Sequence, residues 1–251
     1  YDFFLKTYFD KRTLFSRKDL TQLKEIEFLE EYIVTGSFGN IIQLYLLLLA
    51  NRLELRNKKK IILLLSNKIT NNCLFEYFKK DIIVINNKYF SKNLKFLSKQ
   101  LTCHLGSVIE FKNGFKPAFV AYNYINKCNE EKNIYLFNIK KSHSQSGEKY
   151  LKKIGLKESD WYVTIHVRDG TYRKKEKNQS FRNANIDDYI PAINEITKAG
   201  GYVFRVGNPG SKEISIKDGY IDYANSKYKS EELDLFLGAT SKFCVATSSG
   251  F

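Results

Sequence analysis

Trp161-Tyr-Val-Thr-Ile-His-Val167, Ile186-Asp-Asp-Tyr-Ile-Pro-Ala-Ile-Asn-Glu-Ile-Thr-Lys-Ala199 and Tyr202-Val-Phe-Arg-Val206 are the three runs whose reading decides the fold. The first and third are short and rich in β-branched and aromatic residues, which reads as strand. The run between them has helical length. Asn185 is its natural N-cap, and Gly200-Gly201 is its stop. Strand, helix and strand predict a parallel pair joined by a right-handed crossover. Working outward, Gly207-Asn-Pro-Gly210 reads as a turn and Tyr220-Ile-Asp-Tyr223 as a short strand. Ser230 caps a helix from Glu231 to about Ala239, whose first acids suit its positive end. Lys242 to Ala246 reads as a further buried strand that turns out through Thr247-Ser-Ser-Gly250. This alternation predicts a doubly wound domain.

The N-terminal half carries the same beat less clearly. Leu20, Leu23, Ile26 and Phe28 suggest a short amphipathic helix, and Tyr32-Ile-Val-Thr35 reads as a strand. Gly36-Ser37-Phe38-Gly39-Asn40 is a tight turn, Ile41–Arg56 a Leu-rich helix, and Ile61–Leu65 and Ile82–Ile85 are apolar strands. That is a βαβ unit, so the first domain is expected to be Rossmann-like as well. Residues 105–145 are less regular, with Ile134–Phe137 as a candidate strand. The polar, turn-like Ser142-His-Ser-Gln-Ser-Gly147 is expected near the domain boundary, with a helix over Glu148–Leu156 after it. The expectation is therefore an α/β protein with a domain over 1–140 and another over 141–251. Tyr1 in place of Met, and Phe251 directly after Ser-Ser-Gly, read as cut ends, so the second domain is expected to be incomplete.

The chain has 251 residues, a hydrophobic share of 43% and a net charge of +14. A surplus of that size attracts phosphates, anionic lipids or nucleic acid. Its lysines are scattered, with short clusters at Lys58–Lys60 and Arg173–Lys177, and no nucleic-acid recognition motif accompanies them, which argues against a nucleic-acid partner. Four cysteines without a Cys-x-x-Cys pair suggest neither a disulfide framework nor a zinc site. Ile41–Ala50, the longest apolar stretch, is too short to span a bilayer. No signal peptide is visible, so a cytoplasmic location is expected, with room for peripheral contact at the inner face of the cytoplasmic membrane.

The residues that could carry chemistry gather at strand ends. His166 and Arg168 lie two apart, so alternation puts both on one face. Ligands of open α/β sheets bind beyond the carboxyl ends of strands, and an arginine there offers a rigid fork to phosphate oxygens. The structural alternative pairs Arg168 with Asp169 or Asp222. Arg205-Val206-Gly207-Asn208 closes another strand. Thr247-Ser248-Ser249-Gly250 closes a third, where small hydroxyl residues and glycine would bare backbone N–H groups to an anion. The three ends converge on a diphosphate better than any one does. Gly36–Asn40 matches neither a dinucleotide fingerprint nor a P-loop. It serves either a ligand or the packing of strand on helix. Arg173–Lys177 with Asn178-Gln-Ser180 reads as a basic loop able to fold over an anion.

Trp161-Tyr-Val-Thr-Ile-His-Val-Arg-Asp-Gly-Thr-Tyr172 resembles the His-Val-Arg-Asp…Tyr signature of a family of bacterial glycosyltransferases from surface-polysaccharide loci. The resemblance continues through Phe181–Ile193, Gly201–Pro209, Ile221–Tyr223 and Phe243–Gly250. It covers roughly residues 145–251, in order. That family resembles the GT-B fucosyltransferases, including the protein O-fucosyltransferases. The resemblance implies a GT-B-like chain, two Rossmann-like domains facing a cleft, that moves a sugar from a GDP- or UDP-linked donor to a glycan or lipid-linked acceptor. It implies inversion, no metal and no cofactor. Arg168 would clamp the β-phosphate with His166 beside it, and Asp169 is the nearest candidate for the acceptor's base. Arg205, Gly207, Asn208 and Thr247–Gly250 would hold the donor. Gly36, Ser37, Phe38, Gly39, Asn40, Tyr172 and Arg182 would line the cleft or meet the acceptor. Two rivals remain open: a non-catalytic basic module for anionic glycan, nucleic acid or membrane, and another nucleotide-using α/β enzyme such as a sugar epimerase, against which the missing dinucleotide fingerprint counts.

Overall fold

A computed structural model of the chain describes residues 26–36, 38–94, 98–99, 108–171, 177–216 and 218–247. It is a mixed α/β protein with two parallel sheets. The chain divides into two compact units, the first running to Leu136 and the second beginning at Phe137, with Asn71–Leu74 belonging to the second.

In the first unit the order is β1 (Ile26–Glu30), α1 (Tyr32–Thr35), α2 (Phe38–Arg52), β2 (Lys60–Leu65), α3 (Asn72–Phe75, largely of the second unit), β3 (Ile82–Asn86), α4 (Lys88–Leu94) and β4 (Ser98–Lys99). A hairpin of β5 (Val108–Phe111) and β6 (Gly114–Pro117) then leads into α5 (Ala118–Lys132). The sheet runs β3-β2-β1-β4, all parallel. Four of the six residues of β2 are buried, as a continuous apolar run inside a parallel sheet should be.

The expected strand at Tyr32–Thr35 is instead a helical turn, and the strand lies one step earlier, over residues expected to be helical. Propensity favoured Tyr-Ile-Val-Thr for a strand, but pairing decides: β1 is hydrogen-bonded on both sides, with Phe28 opposite both Ile62 and Ser98. Glu27 disguised it. This acid is buried within the strand and meets Arg56 Nη2 at 2.5 Å, and a buried charge in an apolar run breaks the pattern by which strands are read. The helix expected over Ile41–Arg56 starts earlier, at Phe38, and ends at Arg52. Ile134–Phe137 forms no strand.

The second unit contains α6 (Lys141–Lys153), β7 (Tyr162–His166), 3₁₀ turns at Lys177–Arg182 and Ile186–Tyr189, α7 (Ile190–Lys198), β8 (Tyr202–Arg205), β9 (Tyr220–Ile221), α8 (Glu231–Thr240) and β10 (Cys244–Ala246). Its sheet runs β10-β7-β8-β9, again all parallel. Strand alternation sends Tyr162, Phe204 and Val206 to one face, against Tyr150 of α6 and Phe236 and Leu237 of α8. Val163, Ile165, Val167 and Val203 go to the other, against Ile186 and Ile193. Both caps read from sequence are made: Asn185 accepts from Asp187 N–H and Ser230 from Leu233 N–H.

The polar run Ser142–Gly147 is not a turn but lies inside α6. Its glycine serves packing: a Cβ on Gly147 would stand 2.1 Å from Cγ of Phe236, so its absence lets α6 close on α8. The strand expected to be buried at Lys242–Ala246 shortens to β10 at the sheet edge, with Cys244 and Ala246 exposed.

Both sheets have the same strand order. The first strand in sequence is interior, the second and third follow on one side, and the fourth lies on the other.

Candidate functional site

In the second sheet the chain leaves β7 toward β8 on one side and returns to β10 on the other. The connections diverge between β7 and β10, and the crevice of an open α/β sheet forms at that switch, beyond the carboxyl ends. Those ends are His166 and Ala246, with Arg168 and Thr247 just past them. The two ends are stitched together. Thr247 N–H donates to the His166 carbonyl at 3.1 Å, and Arg168 N–H donates to Thr247 Oγ1 at 2.9 Å. The structure thus brings together the His166–Arg168 pair and Thr247, three residues singled out 79 positions apart. Thr247 uses both its backbone and its hydroxyl to set where Arg168 begins.

His166 occupies an electropositive niche. Burial pushes its imidazole down to about 4; Asp169 works against that shift, while the charges of Arg205, Lys229 and Arg168 add to it. The ring is therefore neutral at physiological pH. Gly207 makes room for it: at φ +135°, a Cβ on Gly207 would stand 3.3 Å from His166 Cδ2. Lys229 was not singled out by sequence reasoning, because nothing local marks it among 41 lysines and arginines. Asp234 anchors it, with Lys229 Nζ at 2.7 and 2.9 Å from the two carboxylate oxygens.

Arg168 is oriented by a residue the sequence reading also passed over. Its Nε donates to Asn183 Oδ1 at 3.1 Å, and its carbonyl accepts from Ala184 N–H at 2.8 Å. Holding Nε fixes the guanidinium plane, which matters for a planar fork. Gly170, at φ +82°, leaves space for Asn183, whose Nδ2 would lie 2.8 Å from a Cβ there. Asn183 lay within the family-like stretch, but only the fold shows that it reaches Arg168.

Arg205 is placed differently from expectation. It is 1% exposed, donates from Nη1 to the Lys212 carbonyl, and lies 3.7 Å from Asp169 and 3.9 Å from Asp222. Its guanidinium faces inward, so it is corrected from a donor contact to an internal counter-charge. Asp169 and Asp222, the alternative partners expected for Arg168, pair with Arg205 instead. Asp169 changes role with it. Oδ1 accepts from Thr171 N–H at 3.0 Å and Thr171 Oγ1 at 2.7 Å, and Oδ2 faces Arg205. Burial alone would raise this carboxyl, but hydrogen bonds from Ser211 and Thr171 and the Arg205 charge hold it below its ordinary value. An acid so stabilised as its anion is a poor general base. Beside them, burial pushes the Tyr220 hydroxyl up to about 12. Asn208 is half-buried, and its carbonyl accepts from Ser211 Oγ at 3.1 Å.

Of the remaining candidates, Arg182 is half-buried at the end of its 3₁₀ turn. Tyr172, residues 173–176 of the basic loop, Ser248, Ser249 and Gly250 lie outside the described residues, as does Ser37. In the first unit Phe38, Gly39 and Asn40 belong to the first turn of α2. Gly36 is a close-packing glycine, since a Cβ there would meet Asn40 Nδ2 at 2.3 Å and the Tyr32 carbonyl at 2.8 Å. Among the described residues no group of three or more His, Cys, Asp or Glu side chains could hold a metal ion, and no helix is long and apolar enough to cross a membrane. No family model matches the chain, and neither the curated proteins nor the solved structures contain a match to it.

Proposed function

We propose that the chain is a nucleotide-sugar-dependent glycosyltransferase of GT-B type, whose second unit binds the donor diphosphate at the β7–β10 switch. The observation that carries this reading is the meeting there of an oriented arginine and a neutral imidazole on tied strand ends, in the positive field of Arg205 and Lys229. The strand order shared by both units and the resemblance of residues 145–251 to surface-polysaccharide transferases support it. Such a set suits a phosphate ester better than a metal chelate. Arg168 supplies the fork, Lys229 adds positive field, and His166 stays uncharged beside it.

In the reaction proposed, an acceptor hydroxyl attacks the anomeric carbon as the bond from that carbon to the diphosphate oxygen breaks. A base takes the hydroxyl proton, and the nucleoside diphosphate leaves with the bond's electrons. Charge grows on the leaving diphosphate, where fixed positive groups stabilise the transition state more than the ground state. In this scheme cationic side chains take the place a metal ion holds in other transferases. Asp169, held by Thr171 and facing Arg205, is not the base; the scheme leaves that role to another group.

Hydrolysis of a panel of GDP- and UDP-linked sugars by the full-length protein, with and without EDTA, tests the reading. One donor cleaved faster than the rest, equally in EDTA, is the expected result. No turnover of any donor, or turnover abolished by EDTA and restored by Mn²⁺, would contradict it.

A further inference from the structure

The first unit carries a surface that the transferase reading does not use. In the β5–β6 ribbon, Val108 pairs with Pro117 and Glu110 with Phe115. Ile109 and Phe111 are buried, so the other face of the ribbon turns outward, leaving Phe115 67% and Val108 45% exposed. Helix α5 follows the ribbon directly in the chain. It buries Ala118, Ala121 and Ile125 and leaves Phe119 50% and Val120 40% exposed. Phe115, Pro117, Phe119 and Val120 thus stand exposed within six consecutive residues. Scattered apolar residues are normal on a surface, whereas a contiguous group of large ones marks a binding face.

Its rim is basic. Lys112 is exposed in the hairpin turn, and its N–H donates to the Leu55 carbonyl at 3.0 Å. That bond places the turn beside the segment leading to Lys58, Lys59 and Lys60. Lys59 meets Glu110 at 2.6 Å, and Glu110 is the single acid in residues 108–129. Lys58 and Lys60 are exposed. Large apolar side chains ringed by lysines match an anionic bilayer, which offers hydrocarbon beneath a negative surface. A second copy of the chain fits poorly, since each brings a net charge of +14. A single-stranded nucleic acid fits less well too, because Val108, Pro117 and Val120 offer no ring face to stack on a base.

We propose that this face seats on an anionic phospholipid surface, with Phe115 and Phe119 entering the boundary between headgroups and acyl chains and Lys58, Lys60 and Lys112 lying over anionic headgroups. It stands apart from the transferase reading and holds whether or not the second unit binds a nucleotide sugar.

Co-sedimentation with vesicles tests it, using the full chain with phosphatidylcholine alone and with an equal mixture of phosphatidylcholine and phosphatidylglycerol. The chain binds the mixed vesicles and leaves the neutral ones in solution. The double variant Phe115→Ser/Phe119→Ser loses about tenfold or more in partitioning, as expected for apolar insertion. Lys58→Gln/Lys112→Gln loses about fivefold for each charge. Tyr89→Ser, which removes an exposed aromatic of α4, changes nothing. All the replaced side chains are exposed, so circular dichroism melts stay close to wild type. Failure of the wild-type chain to sediment with the mixed vesicles overturns the proposal. So does a serine variant that binds as wild type does and is released only by salt, since that is charge alone.

Discussion

The two units carry the same strand order and equip the end of their first strand in opposite ways. Just past β1, the first unit places Glu31. Its carboxylate accepts from Ser66 N–H at 2.7 Å, Ser66 Oγ at 2.8 Å, Asn67 N–H at 2.9 Å and Asn67 Nδ2 at 2.7 Å. Burial alone would raise that carboxyl, but these bonds outweigh it and hold the acid below its ordinary value. The end of β1 is thereby sealed to the end of β2 by an acid whose bonds stay within the protein. Past β7, the second unit places Arg168 and a neutral His166 among further cations. Glu31 acts on the β2 side of its strand, away from β4, whereas Arg168 and Thr247 act on the β10 side of theirs, so equivalent strand ends carry an internally bonded acid in one unit and a cationic group in the other.

The sharpest way to break this comparison is to remove the two arginines of the second unit one at a time. Arg205→Met leaves Asp169 and Asp222 without their buried counter-charge, and stability falls by about 3–5 kcal/mol, read as a lower denaturant midpoint. Arg168→Ala leaves the midpoint nearly unchanged and lowers turnover of the donor by roughly 10²–10³-fold, on the order of 3–4 kcal/mol. Arg168→Lys recovers only part of that, because an ammonium keeps the charge and loses the fork. If Arg168→Ala melts as far as Arg205→Met does, the two residues share a structural role and the contrast fails.

A smaller effect is carried by pH. An unfolded histidine takes up its proton near 6.5, and the folded His166 does so only near 4. Between those values the unfolded chain binds more protons, so the stability this site contributes is complete above pH 6.5 and falls away as pH drops toward 4. The loss is on the order of 2–3 kcal/mol. Thermal melts across that window follow the loss in wild type and flatten in His166→Gln; identical slopes in both would remove the niche from the account. The sealed end gives the smallest change. Glu31→Ala strands the donors of Ser66 and Asn67 and costs about 2 kcal/mol, with donor turnover per folded molecule unaltered.

Much of the second unit could be read in the sequence because its local signals agree with one another. Asn185 and Ser230 cap where they should, the runs at β7 and β8 are unmixed, and His166, Arg168 and Thr247 were chosen together and lie together. Where reading failed, a residue served a distant partner. Gly147 has the chemistry of a turn and packs under Phe236. Glu27 has the chemistry of a surface and sits inside β1 opposite Arg56. Arg205 and Arg168 look alike at neighbouring strand ends, yet one faces two carboxylates inside the protein and the other is set by Asn183 and Thr247. No short-range pattern separates them, because the difference lies in the register of β8 against β9, which brings Asp222 to Arg205. Asn183 and Lys229 were missed for the same reason: each acts on residues far from it in sequence, Asn183 on Arg168 and Lys229 on His166.

The proposed binding of a nucleoside diphosphate by the second unit through Arg168 is measured most directly by thermal stabilisation. At about a hundredfold excess over its dissociation constant a ligand adds roughly 2.7 kcal/mol. GDP or UDP, one clearly more than the other, is expected to raise the melting temperature of the wild-type chain in physiological salt and to leave Arg168→Ala unshifted. Equal, salt-sensitive shifts by both diphosphates, heparin and an oligonucleotide, persisting in Arg168→Ala, would contradict it.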